Sequence, residues 1–109
     1  MSEQTLFILA GLALGERHGY GIAQDVEELS EGRVRLTAGT LYGALNRLAA
    51  DGLVAQTREA VVEGRRRRYY RLTAAGRTAL AEETSRLRSV AAALSSRAEA
   101  GPGRTPRPA

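Results

Sequence analysis

The chain contains no cysteine, no lysine, no tryptophan and a single histidine. Without cysteine there is neither a disulfide framework nor a thiolate metal site. A lone histidine, with no carboxylates spaced to join it, does not make a metal site. Catalysis needs a nucleophile and base, or a metal, in mutual reach. No such set is visible, so no catalytic residue, metal ligand or cofactor is assigned, and an enzyme is not expected. Long hydrophobic runs are missing too. The apolar stretch Leu6–Leu14 is too short to span a membrane. It also lacks the basic flank of a signal peptide. The expectation is a cytoplasmic protein with no membrane partner.

What is present is arginine. All 16 basic residues are Arg, against 12 acidic residues, for a formal net charge of +4. Arg presents a planar, bidentate donor fork, and a basic balance points mildly to a polyanionic partner. With 43% hydrophobic and 26% charged residues, the composition is that of an ordinary globular chain. Its length suits a single domain with a small core.

One stretch organises the rest. Thr37 is placed to cap a helix, its hydroxyl accepting from a free N–H of the first turn. Leu41, Ala44, Leu45 and Leu48 then form the apolar stripe of a half-buried helix that stops at Asp51-Gly52. Gly39, Gly43, Asn46 and Ala50 point the other way, flanked by Thr40, Tyr42 and Arg47. Gly43 costs about 1 kcal/mol relative to Ala in a helix interior, which suggests that something large approaches its backbone. A DNA major groove admits an α-helix, and Thr, Tyr, Asn and Arg suit phosphates and base edges. The plainer alternative is a polar surface helix with tolerated small residues.

Leu6–Leu14 reads as a helix apolar on every side, ending at Gly15. Such a helix must be buried all round. The small domain core covers one side, which leaves a partner subunit for the other, unless this is simply a central core helix. Glu16–Gly21 reads as a polar turn with His18 as a turn or packing residue. A second helix, roughly Tyr20–Glu31, buries Ile22, Ala23, Val26 and Leu29 and turns an acidic face to water. Arg33–Leu36 alternates like one short strand. Leu53–Arg58 reads as a strand, Glu59–Gly64 as a loop and Arg65–Leu72 as the returning strand. Alternation puts Arg66, Arg68, Tyr70 and Leu72 on one face, with Tyr70 and Leu72 inside. Four successive arginines, Arg65, Arg66, Arg67 and Arg68, repel one another unless an anion sits between them. Thr73 caps a last helix from Ala74 to Arg97 or Ala98. There Leu80, Leu87 and Leu94 recur every seven residues, with Val90 beside them and small residues at Thr84, Ala91 and Ala98. This is a short helix-pairing seam that a second copy of the chain would cover. The tail after it, rich in Pro and Gly, is expected to be disordered.

The order is helix, helix, short strand, helix, hairpin, long helix. It spells a mainly α fold with a small β-hairpin, a winged helix-turn-helix. Residues 1–73 would be the DNA-binding domain, 74–98 a C-terminal dimerisation helix and 99–109 the tail. The segments His18-Gly-Tyr20, Thr37-Ala-Gly-Thr-Leu-Tyr42, Leu45-Asn-Arg-Leu48, Asp51-Gly-Leu53, Arg67-Arg-Tyr-Tyr-Arg-Leu-Thr73 and Gly76-Arg resemble the PadR family of bacterial transcription regulators. The resemblance covers about residues 5–90 and points to the short subfamily with a single C-terminal helix.

It implies a homodimer, most often a repressor, on a pseudo-palindromic double-stranded operator. It also implies a small-ligand site near the interface of the first and last helices. By resemblance, Thr40, Tyr42 and the Arg65–Arg68 wing carry DNA contacts. Helix geometry adds Thr37, Gly43, Asn46 and Arg47. The dimer contacts expected are Leu6, Phe7, Leu80, Leu87, Val90, Ala91 and Leu94. Gly43 departs from the family pattern, where a larger residue or Pro is common. The last helix has no aromatic, so any effector is expected to be a small apolar molecule bound without aromatic stacking. Competing readings are a winged-helix module that binds protein rather than DNA, and one that binds RNA.

Overall fold

Ser2 caps the first helix, α1 (Glu3–Gly11), its hydroxyl accepting from the Thr5 N–H at 3.1 Å. In the computed structural model, which describes residues 1–102, this cap starts the helix before the apolar run. The helix also ends earlier than expected, at Gly11, and Leu14 is left fully exposed in the turn that follows. Ile8, Leu9 and Leu12 are completely buried, whereas Leu6 and Phe7 are half-buried.

The polar turn holds the strand β1 (Arg17–His18), which pairs antiparallel with the last strand through Arg17↔Tyr70 and His18↔Tyr69. The short strand expected at Arg33–Leu36 does not form. The returning strand of the hairpin is already paired on both edges, so no edge of it is left for that segment. Instead, residues 30–37 form a loop around the buried Ser30. Its Oγ accepts from the Val34 N–H at 2.9 Å and donates to the Glu27 carbonyl at 3.2 Å.

The second helix, α2 (Gly19–Leu29), buries Ile22 and Val26 fully and Ala23 partly. Leu29, expected inside, is about half exposed. The helix ends there, and the chain reverses through Glu31 and Gly32 at φ 54° and 80°, so Ser30 takes the interior position.

The third helix, α3 (Ala38–Ala50), follows the expected pattern, with Thr37 as its cap and Leu41, Ala44, Leu45 and Leu48 buried. The hairpin is longer and tighter than its sequence suggested. The strand β2 (Val54–Val62) runs to the tip and β3 (Arg65–Leu72) returns at once. Ala60, Val61 and Val62, expected in a loop, are paired, as the β-branched Val61 and Val62 favour. The connection is the dipeptide Glu63-Gly64, with φ of 50° and 76°, the left-handed pair that a two-residue hairpin turn requires. A bulge between Gln56 and Arg58 bends the ribbon. Tyr70 and Leu72 are buried beside Val54.

Thr73 caps the last helix, α4 (Ala74–Ala100), and its hydroxyl donates to the Gly52 carbonyl at 2.6 Å. Arg77 reaches from α4 to the Ala13 carbonyl at 3.1 Å, tying the helix to the end of α1. The helix continues to Ala100, past the boundary expected at Ala98. The expectation of disorder for the tail lies, from residue 103 on, outside the described residues.

Candidate nucleic-acid interface

The outer face of α3 is open. Thr37, Ala38, Gly39, Thr40, Gly43, Asn46, Arg47 and Ala50 are all exposed. Thr37 and Thr40 are held together at the start of the helix. The Thr37 hydroxyl accepts the Thr40 N–H at 3.2 Å and lies 2.9 Å from the Thr40 hydroxyl. A side chain added at Gly39 or Gly43 would meet no protein atom within 4 Å. Packing within the chain therefore does not require either glycine, although both weaken the helix.

Tyr42 is half-buried and leans from α3 towards the start of α2. Its hydroxyl lies 2.5 Å from where a Gly19 Cβ would be, so a larger residue at 19 would push the Tyr42 side chain aside. On the other side Tyr42, Arg66 and Arg68 line a cleft of about 430 Å³ between α3 and the wing. The expected alternation of β3 is realised. Arg66 and Arg68 share the face of the buried Tyr70, and Arg67 and Tyr69 take the other. Burial pushes the Tyr70 hydroxyl above its ordinary pKa, and the neighbouring Arg68 works against this.

The four wing arginines are thus not equivalent. Arg65, Arg66 and Arg68 are exposed, whereas Arg67 is half-buried, with its Nε shielded and without a hydrogen-bond partner among the described residues. The Arg67 guanidinium sits 5.4 Å from the Tyr20 ring centre and 3.5 Å from His18 Nδ1. His18 caps α2 by accepting the Gly21 N–H on Nδ1 at 3.0 Å and meets Tyr69 edge-on at 5.5 Å. Burial holds the His18 pKa below its usual value, and the Arg67 and Arg17 cations lower it further. Arg17 is tied in turn to Asp25 at 3.2 Å. Arg58 stacks on Tyr69 at 3.9 Å and pairs with Glu16 at 2.9 Å. These contacts fasten the base of the wing to the helix-turn-helix. His18, expected as a turn or packing residue, does both, while Gly19, Tyr20 and Glu59 join the site beyond the residues expected from the sequence. Glu59 is paired with Arg66 and Arg68 at 3.8 and 3.5 Å.

The expected dimer residues fall into two groups. Leu80 packs against the chain's own core, as does Phe7. Leu87, Val90 and Leu94 stand 39–65% exposed, and Ala91 is exposed beside them. No set of three or more metal-ligating side chains is gathered among the described residues, and none of their helices is long and apolar enough to cross a membrane.

Two supporting helices, a third with an open polar face and a basic hairpin against it define a winged helix-turn-helix protein. The model of the PadR-like transcriptional regulator family matches residues 8–82, and the chain belongs to that family. It is 46% identical over 86 residues to the transcriptional regulator Rv3488 of Mycobacterium tuberculosis, across 79% of this chain and 77% of that one. Among solved structures it is similar to a PadR family transcription regulator of Clostridium difficile. There the TM-score is 0.73 and the identity 25%, over 87% of this chain and 97% of that one. The fold is also that of Bacillus subtilis PadR, solved in complex with operator DNA. That likeness has a TM-score of 0.64 and 20% identity, over 95% of this chain and 49% of that one. The family and these relatives are transcriptional regulators, not enzymes.

Proposed function

We propose that the protein is a cytoplasmic, homodimeric, sequence-specific double-stranded DNA-binding repressor, released from a pseudo-palindromic operator by a small apolar effector. The observation that carries this reading is the surface shared by α3 and the wing. The outer face of α3 offers Thr37, Thr40, Asn46 and Arg47 around two unfilled glycine positions. Arg66 and Arg68 look across the cleft at Tyr42. Glycine lets a groove wall come close to the helix, so short side chains reach base edges while the wing takes backbone phosphates. In this division Thr40, Gly43, Asn46 and Arg47 meet the major groove. Arg65, Arg66 and Arg68 meet phosphates, and Thr37 and Tyr42 lie at the margins. Arg67 contributes its charge while packed against Tyr20. Bacillus subtilis PadR, which shares the fold, was solved on operator DNA, and that supports the same use here.

The exposed Leu87, Val90 and Leu94 support the dimer, and the half-buried Leu6 and Phe7 supply an apolar wall for an effector. Selection of bound duplexes from a random pool tests the reading. Recovery of a two-fold symmetric consensus, with half-sites about one helical turn apart, is the expected result. Recovery of no consensus would leave the wing as a general polyanion contact.

A further inference from the structure

Glu59 is the one wing carboxylate, among the described residues, that pairs with the arginines of the cleft. Register places it directly opposite Arg68, on the face that also carries Arg66. Its two oxygens divide between them, Oε1 at 3.5 Å from the Arg68 Nε and Oε2 at 3.8 Å from the Arg66 Nε. Both arginines line the cleft with Tyr42, and Glu59 and Arg66 also border an adjoining hollow of about 300 Å³. The Glu59 side chain is 40% exposed, so solvent and solutes reach the same guanidinium edges. A carboxylate held between two guanidinium groups occupies the position that a phosphate oxygen would take.

We propose that Glu59 is a built-in counter-ion that a DNA phosphate must displace, and that it thereby sets the affinity and salt dependence of the wing. The proposal rests on the DNA-binding reading and adds a determinant of affinity and salt dependence to it. In the free protein Glu59 relieves the repulsion among successive arginines. On DNA its own negative charge faces the incoming phosphate, so it weakens the sequence-independent part of binding to every duplex. The base contacts of α3 then carry a larger share of operator affinity, because phosphate contacts are made with any duplex.

The test compares the full chain with Glu59→Gln and with Glu63→Gln, which makes the same charge change at the hairpin turn. Each is titrated with random duplex and with selected operator across a salt series. Breaking an exposed ion pair changes an equilibrium constant by a few-fold. Glu59→Gln should therefore bind random duplex about three- to ten-fold tighter, with a similar gain on operator. Its slope of log K against log salt should steepen by up to about 0.9 per protomer. Equal gains in both variants would show a general charge effect and overturn the proposal, as would no gain at Glu59. If the wild-type chain bound no duplex, the DNA reading itself would fail. The anion site would then be judged by the Arg66 and Arg68 Nε–H resonances in a sulfate titration. A response at lower sulfate in Glu59→Gln sustains the site, and identical curves reject it.

Discussion

Two glycines in similar helical settings carry opposite consequences. Gly76, in the first turn of α4, has no room for a side chain. A Cβ there would strike the Leu53 carbonyl, a backbone group that cannot swing away. Gly76→Ala is expected to cost about 1–3 kcal/mol or more through overpacking, read as a lower denaturation midpoint. Gly43 faces open space. Gly43→Ala should raise stability by roughly 0.5–1 kcal/mol, yet weaken operator binding because the added methyl stands between helix and groove. A variant both more stable and equally tight would remove Gly43 from the contact surface. His18 gives a pH dependence. Its Nδ1 must be unprotonated to accept the Gly21 N–H, and burial with Arg67 and Arg17 holds its pKa below the usual value. The unfolded chain therefore binds a proton more readily than the native one, and stability rises with pH across this window. The contribution is complete above about pH 6.5, the unperturbed His value, and falls away as pH drops towards the lowered native one. His18→Asn, which retains a capping oxygen, should flatten that part of the stability–pH curve. An unchanged curve would mean that His18 has the same pKa in the native and the unfolded chain and so adds nothing to the pH dependence.

On the proposed reading, recognition divides between elements. Replacing Arg66 and Arg68 by Ala should weaken binding to every duplex. It should flatten the log K against log salt slope by about 0.9 per lost phosphate contact, roughly 3–4 for a dimer. Asn46→Ala on α3 should instead cost about 1–3 kcal/mol per half-site on operator, leaving random duplex and salt slope nearly unchanged. The reverse pattern in parallel salt titrations would invert the roles of helix and wing. The sequence revealed α3 because a threonine cap, a regular apolar stripe and a glycine face all agreed there. It also revealed the faces of β3, since alternation alone separates the buried Tyr70 and Leu72 from Tyr69 and Arg71. It concealed β1, because two residues have no periodicity and Arg17–His18 owes its strand to the free edge of β3. It misplaced the wing tip. Glu-Gly is not one of the strong two-residue turn signals, and only with the turn at Glu63-Gly64 does the antiparallel count set Glu59 against Arg68. The Tyr42–Gly19 contact joins residues far apart in sequence and has no local signature.

At the scale of the molecule the last helix is out of proportion to the body that carries it. A compact chain of this length has a radius of gyration of about 13 Å, whereas this one measures 18.0 Å with a long axis of 64 Å. At 1.5 Å rise per residue, α4 spans about 40 Å. Of its 27 residues, Gly76 is the one that is buried. Beyond Leu80, which touches the core, Leu87, Val90 and Leu94 lie exposed on a helix that the chain's own elements do not cover. In proteins most helical stability comes from packing of an apolar face rather than from propensity. In the proposed dimer a second copy would supply that packing by the symmetry common to homo-oligomers, and it would set the two α3 helices at a fixed separation for a two-fold operator. Leu87→Glu places a carboxylate in the centre of that seam, where burying it unpaired is costly. The variant is expected to lose the dimer and to lose operator binding, because two half-sites can no longer be held at once. Sedimentation of the wild-type chain as a folded monomer at micromolar concentration would sink the dimer. A Leu87→Glu variant that stayed dimeric would move the interface away from this seam.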